Sequence, residues 1–168
     1  MARGIEIRRA HAGDAEAIAS AHIDSIRSIG PAFYSPDLVK AWSAGLSPEI
    51  YVQAMEGGEA FFVATGLIGD EPAVLGFSTH RVDDGQHGVS VYVRGSAARQ
   101  RLGTTLLRLA EAHARAHGAE TIKIEASLPG VEFYRQNGFE ELGRGQVPLK
   151  AGPSIPCVFM RKRLVRPE

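Results

Sequence analysis

The residues with the clearest chemical potential lie in one loop, between a strand-like segment ending at Val93 and a helix-like segment beginning near Gly103. The loop carries Arg94, Arg99 and Arg101. Free N–H groups and the positive dipole end of a helix N-terminus attract phosphate oxygens. A glycine lets a ligand approach the backbone, and arginines add charge-assisted hydrogen bonds. The pattern indicates a phosphate-binding loop or, alternatively, an ordinary solvated basic loop.

Other patterns exclude several classes of function. The sequence has neither G-x-x-x-x-G-K-[ST] nor G-x-G-x-x-G after a strand-like segment, which excludes a P-loop NTPase and a dinucleotide-binding fold. The 19 Lys and Arg balance the 19 Asp and Glu, so no net charge draws the chain to nucleic acid. No apolar run reaches membrane-spanning length, and the single Cys157 can form neither an internal disulfide nor a cysteine zinc cluster. We therefore expect a cytoplasmic protein without nucleic-acid or membrane partners.

The elements that must position the loop follow from the spacing of apolar residues. Residues 5–9 alternate as a short strand, and Asp14 is placed to cap a helix over about residues 15–29. Ser35-Pro36 and Ser47-Pro48 indicate two further helix starts. The other predicted strands are 60–65, 74–81, 88–93, 121–126, 139–143 and 155–164, and the other predicted helices are 102–118 and 129–137.

The order of these elements predicts the fold. Three consecutive strands joined by turns form an antiparallel meander, and segment 88–126 has the length of a parallel strand–helix–strand crossover. No repeat or polar linker divides the chain, so residues 1–168 are expected to form one domain. The expected class is α/β (α+β), with a mixed, mostly antiparallel sheet, a central parallel strand pair and helices on both faces. On the long helix, Glu111 is expected to pair with Arg115 on the outer face.

Two segments of the chain carry a motif pattern typical of one superfamily. The strand end VYV (91–93) is followed by ARQRLGTTLL (98–107), and SLPGVEFYRQNGF (127–139) comes after them. The first segment resembles the strand and the [QR]-x-x-G-x-[GA] motif of the GNAT superfamily of acyl-CoA-dependent N-acetyltransferases. The second is similar to that superfamily's second block, in the right order and at the right separation. The resemblance covers nearly the whole chain and implies one N-acetyltransferase domain. Two motif positions depart from the pattern: Ala98 stands where Gln or Arg is usual, and Arg101 where Gly is usual.

The resemblance implies acetyl-CoA as the acyl donor, without a metal. Its pyrophosphate would rest on the backbone from Arg99 to Thr104, and its pantetheine arm would lie between the strands ending at Val93 and Ala126. The backbone N–H of Val93 is the implied donor to the oxyanion. The implied cofactor-binding residues are Val91, Tyr92, Val93, Arg99, Gln100, Arg101, Leu102, Gly103, Thr104, Ser127 and Phe133.

The resemblance also implies that Tyr134 is the general acid for the leaving thiolate. A phenol with an unperturbed pKa near ~10 is protonated at neutral pH and can donate. Tyr134 could instead be a packed aromatic side chain. For the base that deprotonates the acceptor ammonium, the candidates are His87 and Glu125, with His80, His22 or a water relay as alternatives.

The expected acceptor is a primary amine of a small molecule or a peptide. In similar proteins the first two helices border its pocket, and the candidate substrate-binding residues there are His22, Ser25, Arg27 and Tyr34. An inward-pointing Arg27 would favour an acceptor with a carboxylate or phosphate. The alternative is that Tyr34 and Trp42 are core residues and Arg27 is solvated.

Other readings of the sequence stay open. The changes at Ala98 and Arg101 would suit a non-catalytic acyl-CoA-binding domain, and an exposed Trp42 would suit a protein-interaction domain on the same fold. A homodimer through the C-terminal strands is compatible with either. His113 and His117 have a metal-binding spacing but lack the intervening Glu of H-E-x-x-H, so we expect no metal site.

Overall fold

Five helices pack on the two faces of a seven-stranded sheet in a computed structural model that describes residues 4–98, 100–150 and 152–164. The strands are β1 (Glu6–Arg9), β2 (Ala60–Ile68), β3 (Glu71–Asp83), β4 (Gln86–Val93), β5 (Thr121–Ser127), β6 (Glu140–Pro148) and β7 (Ser154–Arg163). The helices are α1 (Ala15–Ile29), α2 (Pro36–Ala44), α3 (Pro48–Glu56), α4 (Leu102–Ala116) and α5 (Val131–Gln136). The strand order is β1-β2-β3-β4-β5-β7-β6, and β4–β5 is its parallel pair, which confirms the predicted class.

Several strands are longer than their hydrophobic pattern predicted. The β2–β3 hairpin pairs as far as Ile68 and Glu71 around a turn in which Gly69 has a φ of +60°. Strand β6 pairs with β7 as far as Pro148, well beyond the predicted end at residue 143. These extensions are largely exposed, so their backbone ladders form without the apolar alternation that marks a strand in sequence.

The sheet separates two hydrophobic cores. On one face, α4 and α5 pack on the centre of the sheet through Val89, Leu107, Ile122, Tyr134 and Met160. On the other face, α1 and α3 cover Phe61, Val63 and Phe77. None of the helices in the described ranges is long and apolar enough to cross a membrane.

Asp14 precedes α1 as predicted but does not cap it with its side chain. Both carboxylate oxygens accept hydrogen bonds from the Arg8 guanidinium at 2.8 Å, and one also accepts from the His11 N–H at 2.9 Å. The Arg8 hydrogen bonds lower the pKa of Asp14 to about 2. The residue therefore ties β1 to the start of α1 instead of satisfying the helix N–H groups.

The predicted pair of Glu111 with Arg115 is wrong. Glu111 is only 4% exposed because it lies on the inward stripe of α4. Its carboxylate accepts from the Lys162 ammonium on β7 at 2.9 Å and from Arg108 at 3.2 Å. The helix period places residue 111 beside the buried Leu107 and Ala114, and a charge there needs a partner from the sheet.

Four imidazoles form a histidine cluster at the opposite end of β4 from Val93: His80, His87, His113 and His117. His80 is 2% exposed, and its two ring nitrogens lie 2.8 Å from His113 Nδ1 and 2.9 Å from His87 Nδ1. A hydrogen bond between ring nitrogens requires one to be unprotonated. Burial, with help from the neighbouring imidazoles, lowers the pKa of His80 to about 4. Within the described residues, no group of three or more His, Cys, Asp or Glu is arranged to hold a metal ion.

We predict that acid weakens the fold through His80. Between pH 6.5, the ordinary pKa of histidine, and about pH 4, the His80 imidazole is protonated in the unfolded chain but neutral in the folded cluster. Stability is therefore full above about pH 6.5 and falls as the pH drops, by on the order of 1–2 kcal/mol at pH 5. Urea unfolding at pH 7 and pH 5 measures the loss.

The His80→Gln variant should lose less stability over the same pH interval. The matched control is His11→Asn, because His11 is exposed and Asn can still accept the Gly13 N–H. This control should keep the full loss. Equal urea midpoints for the unmodified protein at the two pH values would contradict the assignment.

Candidate active site

Strands β4 and β5 pair for two residues only and then separate. The parallel register joins His87 to Ile122 and Gly88 to Lys123, with no further pair. Extending it by three residues would set Val91 opposite Ala126. We call the opening beyond these pairs the strand gap. Backbone groups that face it need a partner other than the neighbouring strand, so the gap suits an extended ligand.

Tyr134 of α5 reaches into the strand gap from the α4 face. Its Oη accepts a hydrogen bond from the Val91 N–H at 3.0 Å, so the phenolic proton is left to donate elsewhere. The side chain is 4% exposed and is held between the rings of Phe133 and Phe139, with centroid distances of 5.0 and 5.4 Å. Burial raises the pKa of Tyr134, so the phenol is protonated at neutral pH.

A second N–H faces the same edge of β4. The N–H of Arg94 donates to the carbonyl of Leu75 on β3 at 2.8 Å. Because successive N–H groups of a strand point to opposite edges, the Val93 N–H points away from β3. Val91 and Val93 thus both direct their N–H groups toward the strand gap.

The N-terminus of α4 presents N–H groups that have no acceptor among the described residues. The helix begins at Leu102 without a side-chain cap, and its first turn has no acidic residue. The N–H of Thr105 already bonds to the Arg101 carbonyl, which leaves the N–H groups of residues 102–104 without an acceptor inside the helix. Gln100 and Arg101 are exposed beside them. Arg99 lies outside the described residues.

Helix α1 fixes the loop that leads into α4. The Arg94 guanidinium donates to the Val74 carbonyl at 2.6 Å and to Ser20 Oγ at 2.9 Å. The Gly95 N–H donates to Asp24 at 3.0 Å, and a Cβ at position 95 would lie 2.6 Å from Ser28. Arg94 therefore has a positioning role instead of facing a ligand.

Gly103 has a packing role at the start of α4. A Cβ at this position would lie 3.1 Å from the Phe133 ring and 3.7 Å from the Val93 side chain. Glycine thus lets α4, α5 and the end of β4 approach one another closely. Ser127, the last residue of β5, and Phe133, in the first turn of α5, are both half-buried.

An open groove of about 380 Å³ lies along the sheet. Cross-strand pairing puts Arg81 opposite Gly88, and the Arg81 guanidinium carbon is 3.5 Å from where a Cβ of Gly88 would be. Gly88 in turn pairs with Lys123, so Lys123 and Glu125 share this face. The groove is lined by four charged side chains and by apolar ones on the β6–β7 side: Arg81, Asp83, Lys123, Glu125, Leu142 and Phe159.

The two predicted base candidates lie at different places along the groove. Glu125 is exposed on β5, and the extended register sets it opposite Ser90, next to Val91. His87 lines the far end and is tied to the histidine cluster, four residues or about 13 Å from Val91 along the strand. Of the two candidates, Glu125 is therefore the one whose position along β5 corresponds to the strand gap, whereas His87 is at the paired end.

Tyr92 points to the α1 side of the sheet. Its ring packs 4.0 Å from His22 and 5.5 Å from Phe77, and burial raises the pKa of Tyr92 to about 12. His22 Nδ1 is 2.8 Å from the Tyr51 hydroxyl, and its buried Nε2 has no partner in the part of the chain described. Burial lowers the pKa of His22 to about 3, so the imidazole is neutral.

The other predicted acceptor residues do not line the groove. Ser25 is buried and Arg27 is exposed in the last turn of α1. Tyr34 is buried, and its hydroxyl donates to the Pro156 carbonyl at 2.7 Å and accepts from the N–H of Leu128 at 2.8 Å. The ring of Trp42 packs edge-on against Tyr34 and is half-buried.

The chain is similar to known acetyltransferase domains in sequence and in fold. An acetyltransferase (GNAT) domain model matches residues 32–164. A GCN5-related N-acetyltransferase from Rhodopseudomonas palustris has 24% identity over 98% of both chains and a TM-score of 0.82. A ribosomal-protein-alanine N-acetyltransferase from Brucella melitensis has 25% identity over 95% of this chain and 99% of its own, with a TM-score of 0.67.

A third similar structure was solved with a ligand. It is a phosphinothricin acetyltransferase from Sinorhizobium meliloti in complex with AcCoA, with 20% identity over 96% of this chain and 89% of its own and a TM-score of 0.67. No curated protein sequence matches the chain.

Arg101 shows how the altered motif keeps its backbone shape. Its φ of +62° is in the left-handed region, the conformation for which glycine is suited.

We predict that Arg101→Gly stabilises the protein by about 1 kcal/mol in thermal or urea unfolding, because glycine adopts this φ without the backbone strain that a Cβ causes. The control Ala112→Gly, at an exposed position within α4, should destabilise it by a similar amount. A loss of stability in Arg101→Gly would contradict the inference that the backbone at Arg101 is strained.

Proposed function

Because the chain belongs to the GNAT acetyltransferase family, we propose that it transfers an acetyl group from acetyl-CoA to a primary amine of a small molecule or peptide. The observation that carries this proposal is the pairing of Tyr134 Oη with the Val91 N–H inside the strand gap. A protonated phenol is thereby held beside backbone donors at an opening in the sheet. A purely structural tyrosine would not need such an opening beside it.

The residues present fit acetyl-CoA, which supplies an activated acetyl thioester when it is bound. The N–H groups at the start of α4 suit the pyrophosphate, and the edge of β4 suits the amide-containing arm. Exposed Arg101 adds positive charge. The residues that we propose to hold it are Val91, Tyr92, Val93, Arg99, Gln100, Arg101, Leu102, Gly103, Thr104, Ser127 and Phe133.

The proposed chemistry needs three groups of this chain. Glu125 binds the acceptor ammonium and takes its proton, because an alkylammonium with a pKa near ~10.4 must lose a proton before it attacks. The Val93 N–H donates to the acetyl carbonyl oxygen as negative charge develops there. Tyr134 gives its proton to the leaving sulfur, and the Val91 N–H keeps the phenol oriented.

The alternative of a non-catalytic binding or interaction domain has weaker support. Arg101 maintains a glycine-like backbone despite the altered motif, and the half-buried Trp42 packs on Tyr34. Neither observation favours a domain that has lost turnover.

We predict that Tyr134→Phe lowers kcat for thiol release from acetyl-CoA by about 10²- to 10⁴-fold, since a general acid contributes on that scale. The variant also leaves the Val91 N–H without its acceptor, which costs about 1–3 kcal/mol of stability. The control Tyr51→Phe removes another buried hydroxyl, the partner of His22, and should keep turnover. Full kcat in a folded Tyr134→Phe protein would rule out the acid.

We predict that Glu125→Gln lowers kcat by about 10²-fold or more, because the amide cannot take a proton from the acceptor ammonium. His87→Gln serves as the matched test of the other base candidate. It should retain the rate, because His87 is held in the histidine cluster. The reverse result would assign the base to His87, and unchanged rates in both variants would indicate a water relay.

A further inference from the structure

We propose that Tyr34 is a positioning residue for Tyr134, because its hydroxyl fixes the place where the chain leaves β5 and enters α5. The kinetic part of this inference rests on the proposed acetyltransfer, in which Tyr134 is the acid. The placement of Tyr134 can also be measured without turnover.

The Tyr34 hydroxyl takes the place of a direct hydrogen bond between β5 and β7. Their antiparallel register ends with Ser127 opposite Cys157. One further step would set Leu128 opposite Pro156. At that step the Leu128 N–H donates to Tyr34 Oη at 2.8 Å, and this hydroxyl donates to the Pro156 carbonyl at 2.7 Å. The hydroxyl therefore bridges the two strands at the point where β5 ends.

The surroundings of Tyr34 keep this bridge in a fixed geometry. The side chain is 7% exposed, and its ring meets Trp42 edge-on with 5.7 Å between the ring centroids. Burial raises the pKa of Tyr34, so the hydroxyl keeps the proton that it donates to the Pro156 carbonyl. A hydroxyl that donates to one partner and accepts from another has a defined orientation. The Leu128 N–H is consequently held at a fixed point.

Leu128 connects the bridge to the candidate acid. Its side chain packs against the hydrophobic cluster that contains Tyr34 and also against the one that contains Tyr134. Leu128 begins a short 3-10 turn that ends at Gly130, and α5 follows directly. A Cβ on Gly130 would lie 3.2 Å from the Tyr134 ring, so the turn and the ring are in close contact. A displacement of Leu128 would therefore move the turn and, with it, the phenol.

The other polar contacts of α5 are at the surface. Arg135 pairs with Glu132 on the same helix and with Glu141 on β6, and all three side chains are largely exposed. Exposed ion pairs of this kind contribute little to the position of a helix. Tyr34 does not line the groove, so an effect of its hydroxyl on turnover must reach the reaction through the residues that it holds.

The first test uses amide hydrogen exchange to report where Tyr134 lies. The Val91 N–H is protected by Tyr134 Oη, so Tyr34→Phe should speed its exchange by about 10-fold. The Arg94 N–H, which bonds to β3 at the opposite edge of β4, is the internal reference and should exchange at its original rate. The control Trp42→Phe alters the same cluster without removing the hydroxyl and should leave both rates unchanged. Unaltered Val91 exchange in Tyr34→Phe would overturn the proposal.

The second test connects the hydroxyl to the reaction. Thiol release from acetyl-CoA is measured with phenethylamine, L-phenylalanine and trialanine as probe amines. Tyr34→Phe should lower kcat by about 10- to 100-fold and leave KM for the amine nearly unchanged, because a small misplacement of a reacting group is costly. Combined with Tyr134→Phe, the same change should lower kcat by no more than about 2-fold, since the group that it positions is already absent. The control Tyr51→Phe removes another buried hydroxyl and should keep kcat.

The outcomes separate this inference from the proposed function. Faster Val91 exchange in Tyr34→Phe, without thiol release even by the unmodified protein, supports the placement of Tyr134 by Tyr34 and counts against acetyltransfer. Faster exchange together with a kcat loss that disappears in the Tyr134→Phe background supports both. A full kcat in Tyr34→Phe, or losses that multiply in the double variant, overturns the positioning role while acetyltransfer stands.

Discussion

The separation of β4 and β5 after two residue pairs is the constraint on which the rest of the site depends. Hydrogen-bonding groups on a buried strand edge must find partners, and a partner strand is missing at that place. Tyr134 satisfies one of them, at Val91, and it can do so because α5 follows directly from β5. The same crossover that makes the strands parallel puts the N-terminus of α4 at the open end. One departure from regular pairing thus brings together the Tyr134 phenol, the backbone N–H groups of β4 and the N-terminus of α4.

The two faces of the sheet carry different polar groups. The α4 side holds the phenol and the helix N-terminus, whereas the other side carries the exposed charges of the groove. The strand gap connects the two faces, so under the proposed function acetyl-CoA and the acceptor amine would approach each other from opposite sides of the sheet. Helix α1 keeps this arrangement in place, because Asp24 and Ser20 hold the loop that leads into α4.

Local signals in the sequence were enough to predict the order of most helices and strands, whereas the phosphate-binding loop stays a prediction. Cap residues followed by proline, apolar periodicity and the 91–107 and 127–139 segments each depend on neighbours in the chain. Contacts between residues far apart in the chain could not be predicted in this way. Glu111 was assigned to Arg115 because its actual partner, Lys162, is 51 residues away in the chain. The histidine cluster likewise joins β3, β4 and α4, so spacing alone revealed only His113 and His117.

The hydroxyl of Tyr34 has a consequence for how the protein is made. It bonds to Pro156, 122 residues further along the chain, and to Leu128, 94 residues further along. Contacts at such separations have the greatest loop-closure entropy to overcome and form late in folding. A growing chain on the ribosome can build the first hairpins long before β7 exists. The small core that Tyr34 and Trp42 share with Ile155 of β7 can therefore form only after synthesis of the last strand. The order of translation thus delays completion of the domain.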